Sequence, residues 1–267
     1  MKSLVGMKRS AVLLACLLAT GQSFAAAEEN ASLRMATSLG YPPFEYLGAD
    51  GKMTGFEIDL GNAICAQLKR VCVWQDVEFS SMVPGLKARK FDAMLASIAV
   101  TGERKQQVLF TDKVYGSTTR LLAHKDSTLT TDFSTLIGKR IGVEQGTTNE
   151  RFAKKHWQPK GVSVISYPNQ DMVYSDLISG RLDGVVIVDV QAQLGFLSSE
   201  RGADYELIGE RIFDPQVGGD DSAIAVNKSN QKLVDELNAA LAALHADGTY
   251  DQLAKKYFPA NINIYGN

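Results

Sequence analysis

The chain has 267 residues, with 28 lysines and arginines against 30 aspartates and glutamates, and a formal net charge of −2. Loss of the N-terminal cations Lys2, Lys8 and Arg9 would take that charge to −5. A mildly acidic chain of this kind is a poor match to nucleic acid or to an anionic membrane surface.

Lys2, Lys8 and Arg9 precede an apolar run from Ala11 to Ala19, and small residues follow around Ser23, Phe24 and Ala25. Positive, apolar, then small-x-small is the order of a cleaved secretory signal, so residues 1–25 are expected to be removed after Ala25. The run is shorter than the ~20 residues that span a bilayer. Leu13-Leu14-Ala15-Cys16 makes a poor lipobox, because the apolar run continues past the cysteine. The mature chain suits one large domain or two lobes of about 100–120 residues each.

Leu33 to Thr37 reads as a strand, and Tyr41-Pro42-Pro43-Phe44 as a rigid aromatic turn. Phe56, Leu60, Ile64 and Leu68 recur every four residues and predict one apolar helical face. Once Cys16 leaves with the signal, Cys65 and Cys72 remain. In an oxidising compartment they read as a disulfide, with two buried free thiols as the alternative. His124, His156 and His245 have no ligand spacing with each other or with the cysteines, so no metal or cofactor site is expected.

Pro84 to Lys90 predicts a second helix and Phe91 to Ala96 a strand, which runs out into Ser97, Thr101 and Arg104. Lys139 to Val143 is a strand, Arg151 to Lys155 begins a helix, and Val162 to Ser166 is a further strand. Ser175 to Ser179 is helical with Gly180 as its cap, and Leu182 to Val188 is a strand. Leu233, Leu237, Leu241 and Leu244 line one face of a helix that Gly248 ends, before a short helix with Leu253 and Tyr257. Such alternation predicts α/β lobes with mainly parallel sheets.

A weak repeat supports two similar lobes. Leu86-Lys-Ala-Arg-Lys-Phe-Asp92-Ala-Met-Leu and Leu177-Ile-Ser-Gly-Arg-Leu-Asp183-Gly-Val-Val share one pattern at an offset of 91 residues. Asp92 and Asp183 sit at strand starts, where turn-making and capping explain them better than chemistry.

Ligands bind beyond the carboxyl ends of strands in open α/β sheets. One such end carries Ser97, Thr101 and Arg104; another is Glu144-Gln-Gly-Thr147-Thr148-Asn149. A helix starting at Thr147 offers free backbone N–H groups to an anion, although an ordinary cap accounts for the same residues. Arg104 alone reads as a solvated loop arginine. Together they suggest a guanidinium from one lobe and a helix N-terminus from the other, gripping one carboxylate.

At this point the chain resembles the periplasmic amino-acid-binding proteins of ABC importers, with histidine-binding and lysine/arginine/ornithine-binding proteins the nearest likeness. The resemblance rests on Tyr41-Pro-Pro-Phe-Glu, Gly55-Phe-Glu-Ile-Asp-Leu, Lys90-Phe-Asp-Ala, Thr101-Gly-Glu-Arg104, Gln145-Gly-Thr-Thr148, His156-Trp157, Tyr174-Ser-Asp-Leu, Ala246-Asp-Gly-Thr-Tyr and Ala254-Lys-Lys-Tyr-Phe258. It implies a type II periplasmic-binding-protein fold with two hinge crossovers. Residues 31–114 plus 221–267 would form lobe one, and residues 117–219 lobe two. It also implies the Cys65–Cys72 disulfide, a periplasmic monomer, no cofactor, an ABC permease as partner and no enzymatic activity. Carried over, Arg104 holds the ligand α-carboxylate, Ser97, Thr147 and Thr148 add hydrogen bonds, and Tyr41 and Phe79 pack on the ligand's stem.

Four positions depart from that pattern. Val188 stands where the family places an aspartate for the ligand α-ammonium; the neighbouring Asp189 is the candidate ligand contact in its place, although strand alternation points it to the wrong face unless a bulge re-aims it. Ala99 replaces a hydroxyl, Ala96 a serine, and Ser38 an aspartate. Against these, Glu144 replaces an apolar residue; it either pairs with a cationic head group or sits solvated at the rim. The expected ligand is a cationic or polar amino acid, or an opine-like derivative altered at its α-amine. A ligand-presenting sensor, or an offshoot resembling cyclohexadienyl dehydratase with Glu144 as base, are the alternatives.

Overall fold

A computed structural model describes residues 32–262, 264 and 265. The expected signal at 1–25 lies outside the described residues. β1 (Ser32–Thr37) is buried on both faces, with Leu33, Met35, Ala36 and Thr37 all in the interior. That double burial marks a central strand of a covered sheet rather than a half-solvated one. A small hairpin, β2 (Tyr46–Leu47) and β3 (Met53–Thr54), leads into α1 (Phe56–Gln67). The four-residue spacing holds: Phe56, Leu60 and Ile64 are buried together, and Leu68 caps the end. Gly55 precedes the helix at φ 125°, where an added Cβ would meet the Phe44 carbonyl oxygen at 2.2 Å.

Cys65 and Cys72 are bonded, their Cα atoms 5.7 Å apart, and they tie the end of α1 to the start of β4 (Val71–Asp76). The next helix, α2 (Phe79–Lys87), begins five residues before Pro84. The sequence reading took the proline as a first-turn residue; instead it sits inside the helix. β5 is only Ala93–Met94, shorter than the expected Phe91–Ala96. Ser97 takes a left-handed φ of 50°, and that bend draws the chain out of the ladder toward the cleft. α3 (Gly102–Gln107) and β6 (Val108–Gly116) follow, and a short crossing leads to β7 (Thr119–His124).

The second half contains β8 (Arg140–Glu144), α4 (Thr148–His156), β9 (Ser163–Tyr167), α5 (Gln170–Ile178), β10 (Gly184–Val188), a single turn α6 (Asp189–Gln191) and β11 (Tyr205–Ile212). α5 starts earlier than its apolar residues indicated because the Asn169 side chain caps it, accepting from the Met172 N–H at 3.0 Å. The chain then returns through β12 (Asp221–Asn227) to α7 (Gln231–Ala246) and α8 (Thr249–Tyr257). α7 buries the predicted Leu233, Leu237, Leu241 and Leu244.

Two five-stranded sheets result, in the orders β4-β1-β5-β12-β6 and β11-β7-β10-β8-β9. In the first, only β12 runs against the other four strands; in the second, only β7 does. Each reversed strand is the one that has just crossed from the other sheet. The crossings run from Gly116 to Thr119 and from Ile212 to Asp221.

The repeated aspartates are structural, but through an arginine rather than a cap. Asp92 binds the backbone N–H of Arg34 at 3.0 Å and its guanidinium at 3.1 and 2.7 Å. Asp183 does the same for Arg140, at 2.7, 3.0 and 3.0 Å. Each clip locks the start of one strand to its neighbour, at the end of the sheet away from the cleft.

Candidate ligand-binding site in the cleft

The carboxyl ends of β8 and β10 and the bend after β5 face one another across a cavity of about 660 Å³, its mouth included. Tyr41, Phe79, Ser97, Arg104, Glu144, Thr147 and Thr148, all singled out from sequence, line it. Asn149, Gln170, Glu45 and Asp220 line it as well and were not anticipated as site residues.

Arg104 is not a solvated loop residue. Thr101 caps α3 by accepting the Arg104 N–H at 3.1 Å, and this fixes where the side chain leaves the helix. The residue is 4 % exposed, and its guanidinium lies in the cleft. It donates to the Ala99 carbonyl at 2.8 Å and, across the cleft, to the Gly146 carbonyl at 3.0 Å. Its central carbon lies 5.4 Å from the Phe79 ring centroid. Burial, with Arg151 nearby, pulls its pKa down to about 10. No carboxylate pairs with it among the described residues. A buried guanidinium satisfied only by neutral carbonyls lacks a counter-charge, which is costly by several kcal/mol until an anion arrives.

The Ser97 bend is held from behind. Its N–H donates to both oxygens of Glu57, at 3.0 and 2.9 Å. The Tyr115 hydroxyl donates to Glu57 at 2.8 Å and lies 2.8 Å from Ser97 Oγ. Glu45 sits against Glu57, and burial raises both carboxyls, Glu45 the further because Glu57 repels its charge. One proton on Glu45 and a charge on Glu57 fit those donors. A clue was present in the sequence: Glu57 shares the buried helical face with Phe56, Leu60 and Ile64.

On the opposite wall, Thr147 caps α4 in the ordinary way, its hydroxyl accepting the Glu150 N–H at 3.1 Å and donating to the Glu144 carbonyl at 2.7 Å. Glu150 reaches back to the Gly146 N–H at 2.7 Å, a variant of the capping box. Both readings of this segment therefore hold at once: Thr147 is a cap, and the helix start still borders the cavity. Asn149 accepts from the Thr119 hydroxyl at 3.0 Å, tying α4 to the crossing strand.

Glu144 is not solvated at the rim. It is 8 % exposed, and no protein hydrogen bond reaches its carboxyl among the described residues. Burial alone lifts its pKa to about 8.

Asp189 is not brought into the cavity. It follows Val188, which lines the cavity and ends β10, and as the first residue of α6 it borders a separate hollow beside the crossing. Its carboxylate instead accepts from the Thr118 hydroxyl and the Val190 N–H, the latter at 2.7 Å, so it braces the crossing. No bulge re-aims it.

The two walls meet closely elsewhere. A Cβ on Gly195 would fall 2.3 Å from the Pro42 carbonyl oxygen, and one on Gly146 2.8 Å from Ser80 Cα. Glu103 and Arg151 pair across the gap at 2.5 Å.

Two mostly parallel α/β lobes, joined by two short crossings and closed over a polar cavity, make this a type II periplasmic binding protein in architecture. The chain belongs to the bacterial extracellular solute-binding proteins, family 3, whose family model matches residues 33–260. It is 40 % identical over 264 residues to the lysine/arginine/ornithine-binding periplasmic protein of Escherichia coli K12, covering 98 % of this chain and 100 % of that one. To the histidine-binding periplasmic protein of Salmonella typhimurium LT2 it is 39 % identical, covering 97 % and 100 %. A solved Salmonella typhimurium periplasmic binding protein with high arginine specificity superposes with a TM-score of 0.79 at 35 % identity, covering 86 % of this chain and 100 % of that one.

Proposed function

We propose that the protein captures a cationic amino acid in the periplasm and delivers it to the membrane permease of an ABC importer. The observation that carries this reading is Arg104, buried in the cleft with only neutral carbonyl partners. A ligand carboxylate supplies the missing charge and accepts two parallel N–H bonds, a pairing worth more than two separate neutral bonds. Ser97 and the α4 start at Thr147 and Thr148 complete the anion's shell. Tyr41 and Phe79 cover the aliphatic stem, contributing roughly 25 cal/mol per Å² of apolar surface removed from water. Glu144 receives the positive head group. The lobes, residues 31–114 plus 221–267 and residues 117–219, close about the two crossings when these contacts form. The names of the relatives, which bind lysine, arginine, ornithine or histidine, point the same way.

The test is calorimetry on mature protein unfolded and refolded to strip bound ligand, with arginine, lysine, ornithine, histidine, glutamine and one opine. Micromolar or tighter binding of at least one basic amino acid is expected. Silence with all four basic amino acids would overturn the reading.

A further inference from the structure

Four charged residues line the cavity: Glu45, Arg104, Glu144 and Asp220. Two of the three acids are already engaged. Glu45 is buried against Glu57, and burial with the Glu57 charge holds its proton on, while Asp220 is paired with Arg211. Glu144 is the remaining carboxyl, without a hydrogen bond or a counter-charge.

Glu144 and Arg104 also stand apart. Arg104 leaves α3 of lobe one and Glu144 ends β8 of lobe two, so the two charges enter the cavity from different walls, and no ion pair joins them among the described residues. The cavity therefore has a cationic wall and an acidic one.

Among the described residues, neither wall carries a second free acid. Val188, Ala96 and Ala99 face the cavity as apolar wall, and Asp189 is bonded away beside the crossing. A basic α-amino acid carries two cations and one carboxylate. This cleft offers one free acid and one base. The cation next to the ligand carboxylate would be buried without a partner, at a cost of several kcal/mol.

We propose that the cleft selects a ligand with one carboxylate, held by Arg104, and one remote cationic head group, held by Glu144, with no charged amine on the α-carbon. That class is the ω-guanidino and ω-amino monocarboxylic acids. The proposal rests on the binding function above and refines its ligand.

The test compares 4-guanidinobutanoate with arginine on the refolded mature protein. The two share a carboxylate and a guanidinium, and the first lacks the α-ammonium. At least tenfold tighter binding of 4-guanidinobutanoate is expected, and equal or tighter binding of arginine overturns the proposal. Val188→Asp should reverse the order by giving the α-ammonium a partner; an unchanged order in a folded variant also overturns it. Glu144→Gln should weaken 4-guanidinobutanoate at least 30-fold, and an unchanged affinity removes Glu144 from the site. The wild-type ranking decides the matter even if a variant fails to fold. If neither compound nor any basic amino acid binds, it is the binding function itself that fails.

Discussion

The two lobes are built on one plan and diverge at one end. Away from the cleft they carry the same device, an arginine at the start of one strand clipped by an aspartate at the start of the next: Arg34 with Asp92, and Arg140 with Asp183. At the cleft the plan splits. Lobe one presents Arg104, buried and held by carbonyls; lobe two presents Glu144, buried and with no hydrogen bond to its carboxyl among the described residues. The pair that recurs in both lobes is satisfied within the fold, whereas Arg104 and Glu144, each without a counterpart in the other lobe, have no counter-charge among the described residues. The proposed function assigns that unmatched pair to the ligand.

The largest effect should follow from removing the unmatched charge of lobe one. Arg104→Met is expected to weaken arginine binding by at least about 100-fold, or roughly 3 kcal/mol, since it removes the carboxylate's charged partner. Calorimetry on the variant checks this, and a loss smaller than tenfold would mean the carboxylate binds elsewhere.

Glu144 should reveal itself through pH. Its folded pKa of about 8 lies above its ordinary 4.5, so the folded state holds the proton more tightly than the unfolded chain. Stability of the ligand-free protein then falls as pH rises from about 5 to 8 and levels off above. Glu144→Leu is expected to remove that decline and to gain about 2–4 kcal/mol at pH 9, with little gain at pH 5. Parallel denaturant melts at the two pH values measure it; identical pH slopes for variant and wild type would contradict the burial argument. Binding of a cation there should also expel close to one proton near pH 7, read from calorimetry in buffers of different ionisation enthalpy. Tyr41, Glu45 and Tyr174 are the groups coupled to it, and burial holds each one's proton at that pH.

Smaller effects should separate architecture from site. Reducing the Cys65–Cys72 bond should cost about 2 kcal/mol of stability, as a short loop implies, while leaving affinity within twofold. Asp92→Asn and Asp183→Asn should each lower Tm by about 2–4 °C and leave affinity alone. A large affinity change from either clip would break the division between repeated and unmatched charges. Asp189→Asn should likewise leave ligand affinity within twofold, because its carboxylate faces the crossing.

The architecture was legible because it is written in local periodicity. Phe56, Leu60 and Ile64, and the leucines of α7, mark their helices without help from distant residues. The strand-end logic placed Arg104, Ser97 and Thr147 at the cavity, whereas Asp189, carried as a candidate ligand contact, lies outside it, where the alternation argument had put it in doubt. Three features were hidden. Pro84 hid the start of α2, since a proline inside a helix resembles one at its beginning. The Glu45–Glu57 pair was invisible because only the folded chain brings the hairpin and α1 together behind Ser97. Glu144 had two readings that differ only in burial, and burial there depends on the opposing lobe. Long-range contact, rather than residue type, decided each of these.

One measurement bears most directly on the claim that Arg104 grips a ligand carboxylate: titration of the refolded mature protein with arginine and with agmatine, its decarboxylated counterpart. The account expects arginine to bind and agmatine to bind at least about 100-fold more weakly, the loss of one buried charge pair. Equal affinities would contradict it, and would mean the buried guanidinium in the cleft serves the fold instead.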